Sequence, residues 1–207
     1  MKKLSTSKQM AINMVAAIVS FLIGTGINFV LAPYLVKELG SETYGFIGLA
    51  NNFVQYATIV TSALNSMSGR FISIEYSKGN IDKASRYFSS VLVADLIIAG
   101  VLLLVSSIIT FNIEFILNVP ENLVDSVKIL FALTFATFII SVITAIFTTA
   151  AFVKNKLYIN SLRDIASNTL KLLLVVILFS FFPAKVYFLA MASLASGIFL
   201  LLTNIKV

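Results

Sequence analysis

The sequence predicts an all-α integral membrane protein, a bundle of six transmembrane helices that forms a single domain over residues 1–207. The first observation is composition: 59% of the residues are apolar, 12% are charged, and the mean hydropathy is +1.00. Soluble domains have about 45–50% apolar and about 25% charged residues. The second observation is that the charges are clustered, which leaves long uncharged stretches between them. A membrane-spanning helix needs roughly 20 consecutive, mostly apolar residues.

The uncharged stretches define the individual spans. They predict helices at about 11–36, 43–69, 87–111, 129–152, 165–183 and 186–205. The fifth span is the least apolar, because its uncharged core covers only residues 172–184. It reaches a full membrane thickness if it begins near Ile165 and if Lys171 extends its ammonium group to the lipid headgroups.

The connections between spans carry the turn signals. Gly40, in the hairpin "KELGSE" between the first two spans, supplies a position that tolerates a positive φ. A second turn is predicted at Lys78–Gly79–Asn80, immediately before the helix that leads into the third span. Residues 70–86 and 154–164 are predicted to be long, basic loops on the same side of the membrane.

Basic residues predict the orientation. With a cytoplasmic N-terminus, twelve of the fifteen Lys and Arg residues, including Lys2, Lys3 and Lys206, lie on the cytoplasmic side. This excess predicts that both termini face the cytoplasm. The net charge of +6 is therefore interpreted as a topology signal, and no nucleic-acid partner is expected, because the cations flank helix ends.

The residue content disfavours an enzyme. The chain has no Cys and no His, which removes thiolate chemistry, disulfides, and the commonest catalytic base and metal ligand. No paired carboxylates, metal-ligand spacing or Gly-rich nucleotide loop is found. We therefore expect no cofactor and no metal, and a transport function in preference to catalysis.

The second span carries a stripe of polar and small residues, which we call the α2 stripe. Its members recur at steps of four and three, which keeps them on one helical face: Tyr44, Gly48, Asn51, Gln55, Thr58, Ser62, Asn65 and Gly69. Asn28 ends a similar series on the first span. Two interpretations stay open, namely helix packing through polar contacts and the wall of a water-filled cavity. The amides favour the cavity for the second span, because unpaired amides are costly in hydrocarbon.

Two ionisable residues have alternative interpretations. Asp95 lies well inside the third span, where a charge is costly. It is either a cation or proton site, or a polar anchor for cargo, or a structural hydrogen-bonding group. Arg70, just after Gly69, either meets a phosphate group, since a guanidinium matches phosphate bidentately, or anchors the span at the cytoplasmic surface.

The N-terminal part of the chain resembles a known family. The residues that carry the resemblance are "NFVLAPYLVKELGSETYGFIGLANNFVQYATIVTSALNSMSGRFISIEYSKGN", residues 28–80. Asn28 and Pro33 in the first span, the hairpin "ELGSETYG", and a polar second span ending in "GRFIS" are similar to the opening of the polysaccharide exporters and O-antigen flippases. These proteins belong to the multidrug/oligosaccharidyl-lipid/polysaccharide exporter superfamily. The resemblance covers about residues 10–90.

The resemblance implies a bacterial plasma-membrane transporter. Family members move an undecaprenyl-diphosphate-linked oligosaccharide between leaflets by alternating access of two lobes, with H+ or Na+ as the expected coupling ion. The α2 stripe and Asn28 would line the cavity, Asp95 would couple the ion, and cationic residues would meet the diphosphate. In this chain only Arg70 and Lys171, both expected near the inner membrane surface, are candidates for that contact.

The chain departs from the family pattern in length, since family members have at least twice as many helices. It is therefore predicted to be an N-terminal lobe that needs a C-terminal lobe, or a second chain, for transport. Two alternatives remain. One is a related cation-coupled exporter of small amphipathic compounds, and the other is a truncated membrane protein that does not transport.

Overall fold

The computed structural model describes residues 6–205 and is all-helical over that range. It contains six long helices, one short helix and one 3-10 turn. In chain order these are α1 Thr6–Leu39, α2 Ser41–Ser77, α3 Ile81–Phe111, α4 Ile113–Ile116, the 3-10 turn Glu121–Leu123, α5 Val124–Val153, α6 Leu157–Phe181 and α7 Phe188–Ile205. The all-α prediction is confirmed for this part of the chain.

Five of the long helices in the described range are long and apolar enough to cross a membrane. The exception is α2, which carries Asn51, Asn52, Gln55 and Asn65 within its predicted span. The structure therefore supports a multi-pass membrane protein, while six spans and cytoplasmic termini stay predictions. Lys2, Lys3 and Lys206, which contribute to the orientation argument, lie outside the described residues.

Two helices extend well beyond the uncharged stretches that predicted them. The fifth span was expected at residues 165–183, but α6 begins two turns earlier, at Leu157. The expected basic loop 154–164 is thereby reduced to residues 154–156. Similarly, α2 continues to Ser77, so that Arg70 lies inside the helix and the expected loop 70–86 shrinks to residues 78–80. The length of an uncharged stretch indicates only the part of a helix that lies in the apolar layer. The helix itself continues as long as its backbone hydrogen bonds continue.

The turns confirm the glycine predictions. Gly40 alone separates α1 from α2, with φ of 81° and ψ of 156°. Gly79 has φ of 81° in the turn before α3. Both values lie in the region that only glycine occupies without steric strain. They mark the two ends of the bundle, which we call the Gly40 end and the Gly79 end.

Helix packing divides the bundle into two groups. In one group α2 and α3 pack on α5, and in the other α1 packs on α6 and α6 on α7. The contact between α5 and α7 joins the groups. By comparison, α1 and α2 contact each other little, although one residue connects them. A cleft therefore opens between α1 and α2, with α5 and α7 behind it.

The apolar core secures the walls of this cleft. At the Gly40 end, buried Phe46, Ile113, Phe131 and Val186 join α2, α4, α5 and the segment before α7. A second cluster joins α1 to α6 and α7 through buried residues of each helix, among them Leu35, Val175 and Ala192.

At the Gly79 end, Asn13 of α1 is buried. It accepts a hydrogen bond from the backbone N–H of Tyr158 (3.1 Å) and donates to Asn155 Oδ1 (2.9 Å).

A charged cluster closes the hairpin between α2 and α3 at the Gly79 end. Glu75 Oε2 accepts a hydrogen bond from Asn80 Nδ2 (3.0 Å), and the carboxylate lies 3.5 Å from Lys78 Nζ and 3.7 Å from Lys83 Nζ. The hydrogen bond from Asn80, with help from the two lysines and against the effect of burial, holds the pKa of Glu75 below its ordinary value. The ionised form of Glu75 therefore stabilises the turn.

We expect Glu75→Gln to lower the melting temperature of the protein in detergent, because the substitution removes this ionised acceptor. Since the pKa of Glu75 is lower in the folded state than in the unfolded state, its contribution is present in full above the unfolded-state pKa of about 4.3 and is lost as the pH falls through the lower folded-state pKa. Melting curves of both proteins between pH 7 and pH 3 test this. A difference in melting temperature that grows on acidification would contradict it.

Candidate functional site

The cleft between α1 and α2 holds a cavity of about 610 Å³. Apolar residues such as Leu31, Ile47 and Phe138 form part of its wall. Polar residues from all five surrounding helices form the rest: Asn28, Tyr44, Asn51, Thr58, Thr134, Thr137, Ser141, Lys171 and Ser193. We call this space the main cavity. Lys171 supplies its charge, because the other residues that line it are uncharged.

Lys171 lies near the middle of α6, where its side chain is half-buried and reaches α1. Its Nζ donates a hydrogen bond to Asn28 Oδ1 at 3.2 Å. This placement differs from the expectation that Lys171 lies at the start of the span and extends its ammonium group to the headgroups. The reason is the early start of α6 at Leu157, which moves Lys171 from the end of the helix to its middle.

Within residues 6–205, no carboxylate lies within 4.0 Å of Lys171 Nζ. An ammonium group with a neutral amide as its hydrogen-bond partner keeps its positive charge uncompensated. The main cavity is therefore a polar site with a net positive field, which attracts an anionic group.

The α2 stripe runs along the same cleft. Asn51 and Thr58 line the main cavity, while Thr58, Ser62 and Asn65 line a neighbouring cavity of about 430 Å³ between α2 and α5. Thr58 and Ser141 belong to both cavities, which makes them one continuous polar groove. Gln55 is exposed on α2 but lines neither cavity.

The hydroxyl and the amide side chains of the α2 stripe differ in their hydrogen bonds. Thr58 Oγ1 donates to the Val54 carbonyl (2.8 Å) and Ser62 Oγ to the Ile59 carbonyl (3.1 Å) within their own helix. By contrast, the side-chain amides of Asn51 and Asn65 make no hydrogen bond to any residue that the structure describes. Because unpaired amides are costly in hydrocarbon, this contrast favours a groove that contains water over helix packing alone.

The other two predicted site residues lie away from the main cavity. Asp95 is 2% exposed on α3 and is not among the residues that line the main cavity. Its Oδ2 has no hydrogen-bond partner in the described part of the chain. Arg70 is exposed on α2, beyond the groove toward the Gly79 end. The structure thus brings Asn28, Asn51, Thr58 and Lys171 together without Asp95 or Arg70.

Sequence reasoning missed a second group of polar residues on α6. Asp164, Ser167 and Asn168 line a pocket of about 300 Å³ against Ser20, Thr25 and Asn28 of α1. Asp164, Asn168 and Lys171 follow steps of four and three, which is the signal that identified the α2 stripe. The sequence did not reveal this spacing, because residues 154–164 were predicted to form a loop. Within the described residues, no group of three or more acidic side chains is placed to hold a metal ion.

Apolar spanning helices around an internal polar groove define a multi-pass membrane protein, consistent with the bacterial plasma membrane. The chain belongs to the family described as "Polysaccharide biosynthesis protein", which matches residues 10–206. This confirms the resemblance found in residues 10–90 and extends it along the chain.

A curated relative is the "Uncharacterized membrane protein EpsK" of Bacillus subtilis (strain 168), which is 33% identical over 187 residues. The matched region is 90% of this chain but 37% of the relative. The chain thus spans little more than a third of the length of the relative. No solved structure matches the chain.

Water access to the groove can be measured because the chain has no Cys. We expect Asn51→Cys and Asn65→Cys in the chain of 207 residues to react with a membrane-impermeant methanethiosulfonate reagent at least about tenfold faster than Leu103→Cys, because the reactive thiolate forms only in water. Leu103 is a matched control, since it lies exposed on the apolar α3. Equal rates at all three positions would contradict a hydrated groove, and Gln55→Cys would show how far the water extends.

Proposed function

We propose that the protein takes part in moving an undecaprenyl-diphosphate-linked oligosaccharide across the bacterial plasma membrane for surface polysaccharide synthesis. The observation that carries this proposal is the uncompensated ammonium group of Lys171 in the main cavity. Family membership supports the connection with polysaccharides. The positive field of the cavity specifies the part of the cargo that it would hold, namely the diphosphate.

The local chemistry favours this anionic group over a cationic compound. Lys171 Nζ donates a hydrogen bond to Asn28 Oδ1. A diphosphate oxygen is a stronger acceptor for an ammonium group than a neutral amide, because its negative charge adds Coulomb attraction to the hydrogen bond. A diphosphate would therefore displace Asn28 from Lys171. The same field repels cationic amphipathic compounds, which weakens the alternative of a drug exporter.

Uncharged polar groups surround this cation. Asn51 offers an amide that makes no hydrogen bond to the residues described in the structure, and hydroxyls of α2 and α5 line the cavity next to it. Amides and hydroxyls form hydrogen bonds with sugar hydroxyls and impose no charge requirement. The cavity volume of about 610 Å³ lies in the usual range for small ligands. It suits the diphosphate and the sugars next to it.

The open side of the cleft supports a two-lobe arrangement. Asn28, Asn51 and Thr58 are exposed although they line the main cavity. Within a membrane, a polar surface of this kind has to face protein or water. We infer that a C-terminal lobe or a second chain covers it, and that rocking of the two lobes exposes the cavity to each leaflet in turn.

Replacing Lys171 in the full-length protein tests the proposal. Lys171→Met keeps the aliphatic length of the side chain and removes the charge, so we expect transport of the lipid-linked oligosaccharide to fall by about ten- to hundredfold, the loss of one charged hydrogen bond. Lys171→Arg keeps the charge and is expected to retain most of the activity. The measurement is the rate at which the glycan becomes accessible to an impermeant lectin on the outer surface of proteoliposomes.

Lys37→Met is the matched control, because Lys37 is an exposed lysine in the last turn of α1 and lies outside the cavity. It is expected to transport at the unmodified rate. Full transport by Lys171→Met would refute the role of the ammonium group. Transport that is insensitive to removal of the diphosphate from the cargo would refute the proposed substrate class.

A further inference from the structure

An apolar groove lies between α1 and α6 near the Gly79 end, apart from the main cavity. Its volume is about 480 Å³, which is within the usual range of sites for small ligands. Two alanines and six larger residues line it, the latter being Ile12, Val15, Val19, Tyr158, Leu162 and Ile165. We call this space the α1–α6 groove. Because Tyr158 is its one polar lining residue, the groove is suited to a hydrocarbon chain.

The α1–α6 groove runs along the two helices, which both begin at the Gly79 end. The backbone N–H of Tyr158, in the first turn of α6, donates to Asn13 Oδ1 of α1. From Ala11 to Val19 the wall formed by α1 rises about 12 Å, at about 1.5 Å per residue. Spanning helices lie on average about 20° from the bilayer normal. The groove is therefore oriented like the acyl chains of the surrounding lipid.

Two lysines lie just beyond the end of the groove that is nearest the membrane surface. Lys8 precedes Ile12 by four residues, which places it on the same face of α1 and about 6 Å nearer the surface. Lys156 immediately precedes α6, two residues before Tyr158. Both lysines are exposed, and neither forms an ion pair with a residue in the part of the chain that the structure describes. This end of the groove therefore carries positive charge that an anionic group can compensate.

The α1–α6 groove and the main cavity lie on opposite faces of α1. Val19 lines the groove and Asn28 lines the main cavity. The nine residues that separate them correspond to about two and a half helical turns. A lobe that covered the cleft between α1 and α2 would therefore leave the groove open to lipid. Cargo held at Lys171 would likewise lie on the other side of α1.

We propose that the α1–α6 groove binds an anionic phospholipid. One acyl chain occupies the groove, and Lys8 and Lys156 hold the phosphate of the headgroup. A hydrocarbon chain leaves no polar group of the lining unsatisfied, and each lysine near the membrane surface strengthens the attraction of anionic lipid by about fivefold. Tyr158 lies at the junction of chain and headgroup, a level at which tyrosine is favoured.

A lipid in this position would support α1 from outside the bundle. Among the described helices that are long and apolar enough to cross a membrane, α1 is the least buried. It also carries Asn28 to the main cavity. A lipid that contacts both α1 and α6 would add to the packing that keeps this helix in place. The inference does not depend on the proposed function, because it requires no cargo.

The sequence contains no Trp, so that a single introduced Trp reports on one site in the chain of 207 residues. Leu162→Trp places the fluorophore at the groove, and Val93→Trp is the matched control on α3. The two native side chains are 58% and 56% exposed, and each follows a basic residue, Lys156 or Arg86, by six or seven positions. The measurement is quenching by dibrominated phosphatidylglycerol relative to dibrominated phosphatidylcholine, in vesicles of dioleoylphosphatidylcholine.

We expect the preference for phosphatidylglycerol to be at least about threefold stronger at Leu162→Trp than at Val93→Trp, because the groove has two lysines at its end. Replacing Lys8 and Lys156 together by Gln is expected to lower the preference to that of the control. Lys37→Gln, in the last turn of α1 at the Gly40 end, is expected to leave it unchanged. Equal preferences at the two Trp positions would overturn the proposal, and so would a preference that survives the loss of both lysines.

Filling the groove tests the acyl chain separately from the headgroup. Ala16→Phe occupies space in the lining without changing its charge, and it is expected to lower the preference measured at Leu162→Trp. If Ala16→Phe does not fold, Ala11→Phe serves the same purpose, because Ala11 is an exposed residue of the lining. A preference that a folded groove-filling variant leaves unchanged would overturn the proposal, since the chain would then lie elsewhere.

The same vesicles distinguish two other occupants of the groove. At equal mole fraction, farnesyl phosphate is expected to displace the brominated phosphatidylglycerol less than unbrominated phosphatidylglycerol does. Stronger displacement by farnesyl phosphate would assign the groove to a prenyl phosphate and overturn the proposal. Quenching at Leu162→Trp that falls as the ratio of protein to lipid rises would show that a second copy of the chain covers the groove, which would also overturn it.

Discussion

The central constraint on this protein is that a polar group inside an apolar layer must find a polar neighbour. Lys171 and Asn28 show the consequence most directly, since an ammonium group on α6 and an amide on α1 meet at 3.2 Å across a cleft. Hydrocarbon offers no alternative partner to either group. Polar side chains of five helices therefore gather along the cleft between α1 and α2.

This constraint gives the two helix groups different roles. The packing of α2 and α3 on α5, and of α1 and α7 on α6, forms the apolar clusters that keep the bundle together. The weak contact between α1 and α2 leaves the cleft between them open. The residues of the apolar clusters and the residues of the candidate site thus lie on different surfaces of the same helices. A facing lobe would complete the cavity without disturbing the apolar core.

The main cavity and the pocket lined by Asp164 carry opposite charges, two turns apart on α6. Lys171 gives the main cavity a positive field, and Asp164 gives the adjacent pocket a negative one. Asn28, whose side chain is a neutral amide, lines both the main cavity and this pocket.

Hydropathy and residue spacing by themselves determined the all-α membrane class, the glycine turns at Gly40 and Gly79, and the polar face of α2. Each of these depends on local chain chemistry, namely apolar length, backbone freedom and helical periodicity. Only the tertiary structure decided that Lys171 faces Asn28, that Gln55 lies outside the cavity, and that Asp95 is buried away from it. These placements depend on the true start of α6 and on which helices pack together. Both are set by contacts between residues that lie far apart in the sequence.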